Sequence, residues 1–135
     1  MQIGAGAGFG HRDGTHQFAA RHARERQAFG KPLIEQQNTR FKLAEVATTI
    51  KVARAFIDAC VAELVAGRLD TVTASMVKSW ASDMQGKVID DCLQLFGGYG
   101  YMNEFVIARM YVDARVQRIY GGANEVMKEV IARGL

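Results

Sequence analysis

At 135 residues the chain is long enough for one domain with its own hydrophobic core, and an apolar share of 49% is that of an ordinary globular protein. A net charge of +3, from scattered Lys and Arg, does not by itself suggest a nucleic-acid partner, and no apolar run approaches the roughly 20 residues that span a bilayer. The N-terminus lacks a basic segment leading into a long apolar one, so no signal peptide is expected.

Residues 1–14 are glycine-rich, and each glycine inside a helix costs about 0.5–1 kcal/mol relative to alanine, so any helix there is weak. From Thr15 the pattern improves, with Phe18, Ala19, His22 and Ala23 at helical spacing. The run breaks at Phe29-Gly30-Lys31-Pro32, where Gly30 can end a helix and Pro32 cannot extend one. Leu43, Val46, Ile50, Ala53, Ile57, Cys60 and Leu64 then step by three and four, the seam of a long packed helix. Asn38 or Thr39 is the expected cap, with an earlier start near Ile34 as the alternative, and Gly67 is placed to close the helix. Asp70 or Thr71 opens a second long helix, carrying Val72, Met76, Trp80, Met84, Val88, Cys92 and Leu95 on one face. So short a connection forces the two helices to run antiparallel.

After Gly97-Gly98-Tyr99-Gly100, Asn103 and Glu104 start a shorter helix using Val106, Ile107, Met110, Tyr111 and Ala114. The last helix uses Val126, Met127, Val130 and Ile131 and ends at Gly134. No stretch alternates with period two, so strands are not expected. The expected fold is a single all-α domain over residues 1–135, an up-and-down four-helix-bundle-like arrangement with an additional short C-terminal helix.

Cys60 and Cys92 fall on apolar helical stripes with no CxxC spacing, which points to buried free thiols and a reducing interior. His11, His16 and His22 lack the HExxH pattern, and no metal site is expected. The two glycine clusters, Gly97-Gly98-Tyr99-Gly100 and Gly121-Gly122, stand at helix ends. There they act either as simple caps or as places where free amides meet an anion such as a diphosphate. Arg26 is either a solvated side chain or a fork for phosphate. Gln37 and Gln94 are uncharged hydrogen-bonders beside turns. The basic stretch from Arg21 to Lys31 lacks the aromatic interleaving and recognisable motif of a nucleic-acid binder.

Three segments in order resemble those of the acyl-CoA dehydrogenase C-terminal domain. Arg26-Gln27-Ala28-Phe29-Gly30-Lys31-Pro32-Leu33, followed by Gln37, is similar to its R-x-x-F-G-x-x-L…Q segment. Gln94-Leu95-Phe96-Gly97-Gly98-Tyr99-Gly100 is similar to Q-x-x-G-G-x-G. Asp113-Ala114-Arg115 with Ile119-Tyr120-Gly121-Gly122-Ala123-Asn124-Glu125 is similar to D-A-R…I-Y-x-G-T-x-x, in a form nearest the long-chain branch. The resemblance covers essentially the whole chain. It implies non-covalent FAD and the oxidation of acyl-CoA thioesters to trans-2-enoyl-CoA. By it, Arg26, Phe29 and Gln37 contact the cofactor. Gln94, Leu95, Phe96, Gly97 and Gly98 line its adenosine-diphosphate part, largely across a subunit interface. Ala123, Asn124 and Glu125 approach it from the last helix, and Gly121 neighbours the substrate. It further implies an electron-transfer flavoprotein as acceptor and a homodimer or homotetramer.

Departures from the pattern matter as much. Many members carry their catalytic glutamate where this chain has Gly121, which has no side chain to serve as a base. Members with glycine there hold the glutamate near the start of the domain's first helix, in a position that falls at or before Met1. Glu25, Glu104 and Glu125 do not match it, so no catalytic residue is assigned. Ala123 replaces the usual threonine, leaving only a backbone contact. The family's N-terminal helical domain and middle β-domain have no counterpart in the sequence. The expected function is therefore that of a C-terminal domain which supplies FAD contacts and subunit interface and is inactive in isolation. A non-catalytic helical oligomerisation module is the alternative. The expected compartment is the cytoplasm for a bacterial protein and the mitochondrial matrix for a eukaryotic one.

Overall fold

The computed structural model describes residues 14–135, so the glycine-rich opening up to Asp13, His11 included, lies outside the described residues. Helix α1 (Thr15–Glu25) buries Thr15, Ala19 and Ala23, the face that its periodicity marks. It ends at Glu25, short of Gly30, because Arg26 already has extended backbone. Phe29 and Gly30 both have positive φ, 54° and 78°. A tight turn with both central residues in the left-handed region matches the twist of a hairpin. Strands β1 (Gln27–Ala28) and β2 (Lys31–Pro32) therefore pair antiparallel, Ala28 opposite Lys31 and Gln27 opposite Pro32. This ladder corrects two expectations, the absence of strands and Gly30 as a helix terminator.

A 3-10 turn at Leu33–Glu35 leads into α2 (Gln37–Val65), whose first turn has no side-chain cap. Asn38 and Thr39 therefore lie inside the helix, and the turn feeding it is what sets its start. Leu43, Val46, Ala53, Ile57 and Cys60 are buried as the seam requires, but Leu64 is 51% exposed. Ala66 caps the helix and Gly67 follows at φ 69°. Asp70 then caps α3 (Thr71–Phe96), accepting from the Thr73 amide at 2.8 Å and from its hydroxyl at 2.7 Å. These bonds hold the Asp70 carboxyl below the ordinary carboxylate pKa.

α3 is the axis of the domain and packs against α1, α2, α4 (Val106–Val116) and α5 (Asn124–Ala132). Its expected apolar stripe is not its most buried face. Met76, Trp80 and Met84 are half-buried, whereas Ala74, Ser75, Ser79, Ala81, Ser82 and Gly86 are buried. Small residues let neighbouring helices approach on several sides, and the serine hydroxyls bond locally, Ser75 Oγ to Thr71 O and Ser79 Oγ to Ser75 O. A 3-10 turn at Gly97–Tyr101 follows α3. α4 begins two residues later than Asn103 and Glu104 suggested, and the Asn103 carbonyl instead accepts from Arg109 at 2.5 Å. The main core gathers Ala19, Leu43, Val46, Val88, Ile89, Cys92 and Ile107, with a smaller cluster of Ile57, Cys60, Val77 and Ala81. The domain is an all-α bundle with a fifth short helix at its C-terminal end. Among the described residues no helix is long and apolar enough to cross a membrane.

Candidate functional site

Two places are built by the glycine turns. The first is a surface depression of about 530 Å³, lined by Arg26, Leu33, Gln94, Leu95, Phe96, Gly97, Gly98, Tyr99 and Met102. Arg26 comes from the end of α1, and Gln94 to Gly98 from the end of α3, so the fold unites residues far apart in sequence. Gly97 turns the chain at φ 56°, and a Cβ at either Gly97 or Gly98 would meet nothing within 4 Å. The backbone is thus bare on its open side, as close approach of a ligand to peptide groups requires. The Arg26 guanidinium lies 5.4 Å from the Tyr99 ring centroid, which fixes the charge at the rim.

Behind the rim, His22 stacks on Phe96 with centroids 4.0 Å apart. Its Nε2 is buried without a hydrogen-bond partner. Burial first, then the nearby Arg26 charge, lower the His22 pKa from its ordinary 6.5, against a smaller opposing effect of Glu25. An uncharged imidazole and a charged guanidinium therefore sit side by side. Phe29 stands 97% exposed at the hairpin tip and Gln37 is exposed at the start of α2; neither lines the depression.

The second place is the turn before α5. Gly121 and Gly122 have φ of 65° and 95°, and a Cβ on Gly122 would come within 2.5 Å of Met127 Cε. Asn124 is only 3% exposed. Its Nδ2 reaches Ser82 Oγ at 2.9 Å, Asp83 Oδ1 at 3.1 Å and Ser79 O at 3.2 Å, and its backbone N–H donates to Arg118 O at 3.1 Å. Lys78 Nζ donates to the Gly122 carbonyl at 2.5 Å and to Asn124 Oδ1 at 2.7 Å. The Asn124 side chain is thus taken up inside the protein, which leaves Gly121 and Glu125 as the exposed residues here. Arg118 packs its guanidinium where a Gly86 side chain would stand and lies 3.7 Å from Asp83.

The structure brings Arg26, Gln94, Leu95, Phe96, Gly97 and Gly98 together as one lining. Gly121, Ala123, Asn124 and Glu125 form a separate turn. Sequence reasoning missed Tyr99, Leu33, Met102 and Lys78. Tyr99 stood inside the glycine cluster, but its pairing with Arg26 is a contact between distant parts of the chain that no local pattern carries. Lys78 carried no signal, being one lysine among the polar residues of a helix. Among the described residues no His, Cys, Asp or Glu cluster is placed to hold a metal ion.

Residues 2–135 match the family model described as acyl-CoA dehydrogenase, C-terminal domain. The chain is 54% identical over 112 residues to the mitochondrial long-chain specific acyl-CoA dehydrogenase of Rattus norvegicus, covering 83% of this chain and 26% of that one. Among solved structures it superposes on an acyl-CoA dehydrogenase from Geobacillus kaustophilus with a TM-score of 0.86 at 42% identity, over 89% of this chain and 32% of that one. It also superposes on the butyryl-CoA dehydrogenase from Megasphaera elsdenii with a TM-score of 0.89 at 35% identity, over 96% of this chain and 34% of that one. The chain spans between about a quarter and a third of the length of the curated relatives named among its matches. With its motifs, its bundle and both glycine turns in the family's order, the chain belongs to the acyl-CoA dehydrogenase family, whose C-terminal helical domain it is.

Proposed function

We propose that this domain completes the cofactor and substrate sites of a longer flavin-dependent acyl-CoA dehydrogenase, which converts acyl-CoA thioesters to trans-2-enoyl-CoA. One observation carries the reading. Arg26 and the bare Gly97–Gly98 backbone converge on one depression. A planar guanidinium beside a sterically open glycine backbone suits the close approach of a dinucleotide diphosphate, with the Gly97 N–H itself given to the Gln94 carbonyl. When bound, FAD supplies the acceptor for the hydride that leaves the β-carbon as a base removes the α-proton.

The residues of this chain bind and orient. Arg26 pairs with the diphosphate, Tyr99 holds Arg26 in place, and Gln94 offers an amide at the opposite wall. Phe29 and Gln37 contact the cofactor from outside the depression. Gly121 leaves room for the substrate, and Ala123 and Glu125 flank it at the start of α5. Asn124 serves through the turn it ties down. No base is assigned in this chain: Gly121 has no side chain, and Glu25, Glu104 and Glu125 do not match the position of the glutamate in members with glycine there.

The exposed apolar residues Val112, Val116, Ile119 and Val126 support association into a homodimer or homotetramer. An electron-transfer flavoprotein is the proposed acceptor. The proposed compartment is the cytoplasm in a bacterium or the matrix in a mitochondrion; the long-chain relative of Rattus norvegicus is named mitochondrial.

The test is to join this domain to the family's two preceding domains and to purify the product beside the 135-residue chain. The joined protein is expected to be yellow, with its flavin absorbance bleached anaerobically by an acyl-CoA; the chain alone is expected to be colourless and inactive. A joined protein that folds but neither holds flavin nor responds to any acyl-CoA sinks the proposal.

A further inference from the structure

Beneath the second turn lies a polar cluster whose lysine, Lys78, belongs to none of the family motifs. Its centre is Lys78, about two turns into α3, which bonds the Gly122 carbonyl and Asn124 Oδ1 at once. We infer that Lys78 is a positioning residue for the Gly121–Ala123 turn, fixing the direction in which its backbone amides face a ligand. This inference rests on the proposal that the turn flanks the cofactor and substrate.

The argument starts from the peptide plane. In a trans peptide unit the C=O and N–H point opposite ways. The N–H opposite the Gly122 carbonyl is that of Ala123. Because Lys78 draws the Gly122 oxygen inward, the Ala123 N–H is aimed outward. Among the described residues the amides of Gly121, Gly122 and Ala123 have no backbone acceptor, so this donor is free for a ligand. Two successive glycines leave the neighbouring planes free to rotate, and no side chain of their own restrains them.

The clamp is itself rigid. Asn124, the second acceptor of the ammonium, is anchored to Ser79, Ser82 and Asp83 of α3. Met127 Cε fills the space beside Gly122 and prevents that residue from folding inward. Burial lowers the Lys78 pKa below its ordinary value, and the carboxylates of Asp83 and Glu125 counter that only in part. An α3 side chain with a long stem and a terminal donor is what this gap demands. Ala123, with no hydroxyl to reach a ligand, makes the direction of its N–H the contact that remains.

The test uses the full-length flavoprotein containing this domain, with K78M and K78R. Hydrogen–deuterium exchange is followed in peptides spanning 119–125, alongside bound flavin content and kcat/KM for an acyl-CoA. Losing one hydrogen bond of this kind predicts that K78M keeps its fold while exchange in the turn rises, and kcat/KM falls, by about tenfold each. K78R, which retains donors, is expected to stay within about threefold of the parent on both counts. The inference is overturned by unchanged exchange in K78M, by exchange rising equally throughout α3 and α5, or by a loosened turn with unaltered kcat/KM. Should K78M not fold, K78Q is judged by the same criteria. Parent protein that shows no flavin reduction by any acyl-CoA counts against the functional proposal instead, and the exchange measurement still decides whether Lys78 holds the turn.

Discussion

The Arg26 guanidinium rests over the Tyr99 ring, so the end of α1 and the glycine turn after α3 hold one another. Tyr99 in turn stacks on Phe105 at 5.0 Å, Phe105 meets Phe96 edge-on at 6.4 Å, and Phe96 stacks on His22, one helical turn before Arg26. The contacts form a closed circuit. A long flexible cation is thereby kept at the rim of the depression before any anion arrives, which lowers the entropy cost of binding.

Removing the ring tests that arrangement. Tyr99→Leu in the full-length flavoprotein is expected to weaken FAD binding by roughly two- to fivefold, the size of a partly exposed cation–π contact. Tyr99→Phe keeps the ring and is expected to bind like the parent. Flavin fluorescence titration separates the two; equal losses in both would show that the hydroxyl, not the ring, matters.

The two glycines of the second turn predict an ordered pair of costs. Gly121→Ala meets open space and suffers only backbone strain, about 1 kcal/mol. Gly122→Ala suffers that strain plus the clash with Met127, and is expected to cost about 2–3 kcal/mol. Urea unfolding of each variant measures the difference, and a Gly122 variant no less stable than the Gly121 one would be incompatible with this packing.

His22 predicts a pH effect. Its pKa is lowered in the folded state, so below pH 6.5 the unfolded chain takes the proton more readily. Its contribution to stability is complete above 6.5 and is lost as pH falls through the folded value. The physical cause is the buried Nε2, which on protonation becomes an unpaired charged donor beside Arg26. His22→Gln is expected to flatten the stability–pH curve in this acid window. A variant with the parental slope would assign the acid sensitivity to other groups.

Both cysteines are expected to resist a thiol reagent in the native protein. Burial pushes the Cys92 thiol up to about 12 and raises that of Cys60. Since the thiolate is the reactive form, labelling should require unfolding. Stopped-flow labelling with and without urea measures this, and rapid native labelling at Cys92 would contradict its place in the core.

The seam from Leu43 to Cys60, the antiparallel pair, the closing Gly67 and the Asp70 cap were all legible, because each rests on local periodicity or a single capping residue. The hairpin was not, since two residues per strand are too few to show alternation and its signal lay in Phe29 adopting a left-handed conformation that favours glycine. The role of α3 as axis was hidden for a different reason. Hydrophobic stripes find helices buried on one side, whereas α3 is enclosed by small and hydroxyl-bearing residues that look polar in the sequence. In the site, the motifs named Arg26 and Gln94 to Gly98 separately, and it is the fold that brings them to one depression. The inward orientation of Asn124 and its tie to Lys78 depend on contacts more than 40 residues apart in sequence, which no local pattern carries.

The buried amide of Asn124 has one more effect, on how α5 and α3 are aligned along their lengths. Purely apolar side chains would tolerate sliding α5 by one turn at modest cost, since one aliphatic surface resembles another. A slid helix would carry Asn124 away from Ser79, Ser82 and Asp83 and strand both its amide and the Lys78 ammonium in the interior. The polar cluster thus works as a key in a slot, admitting a single axial setting of the last helix and excluding its neighbours.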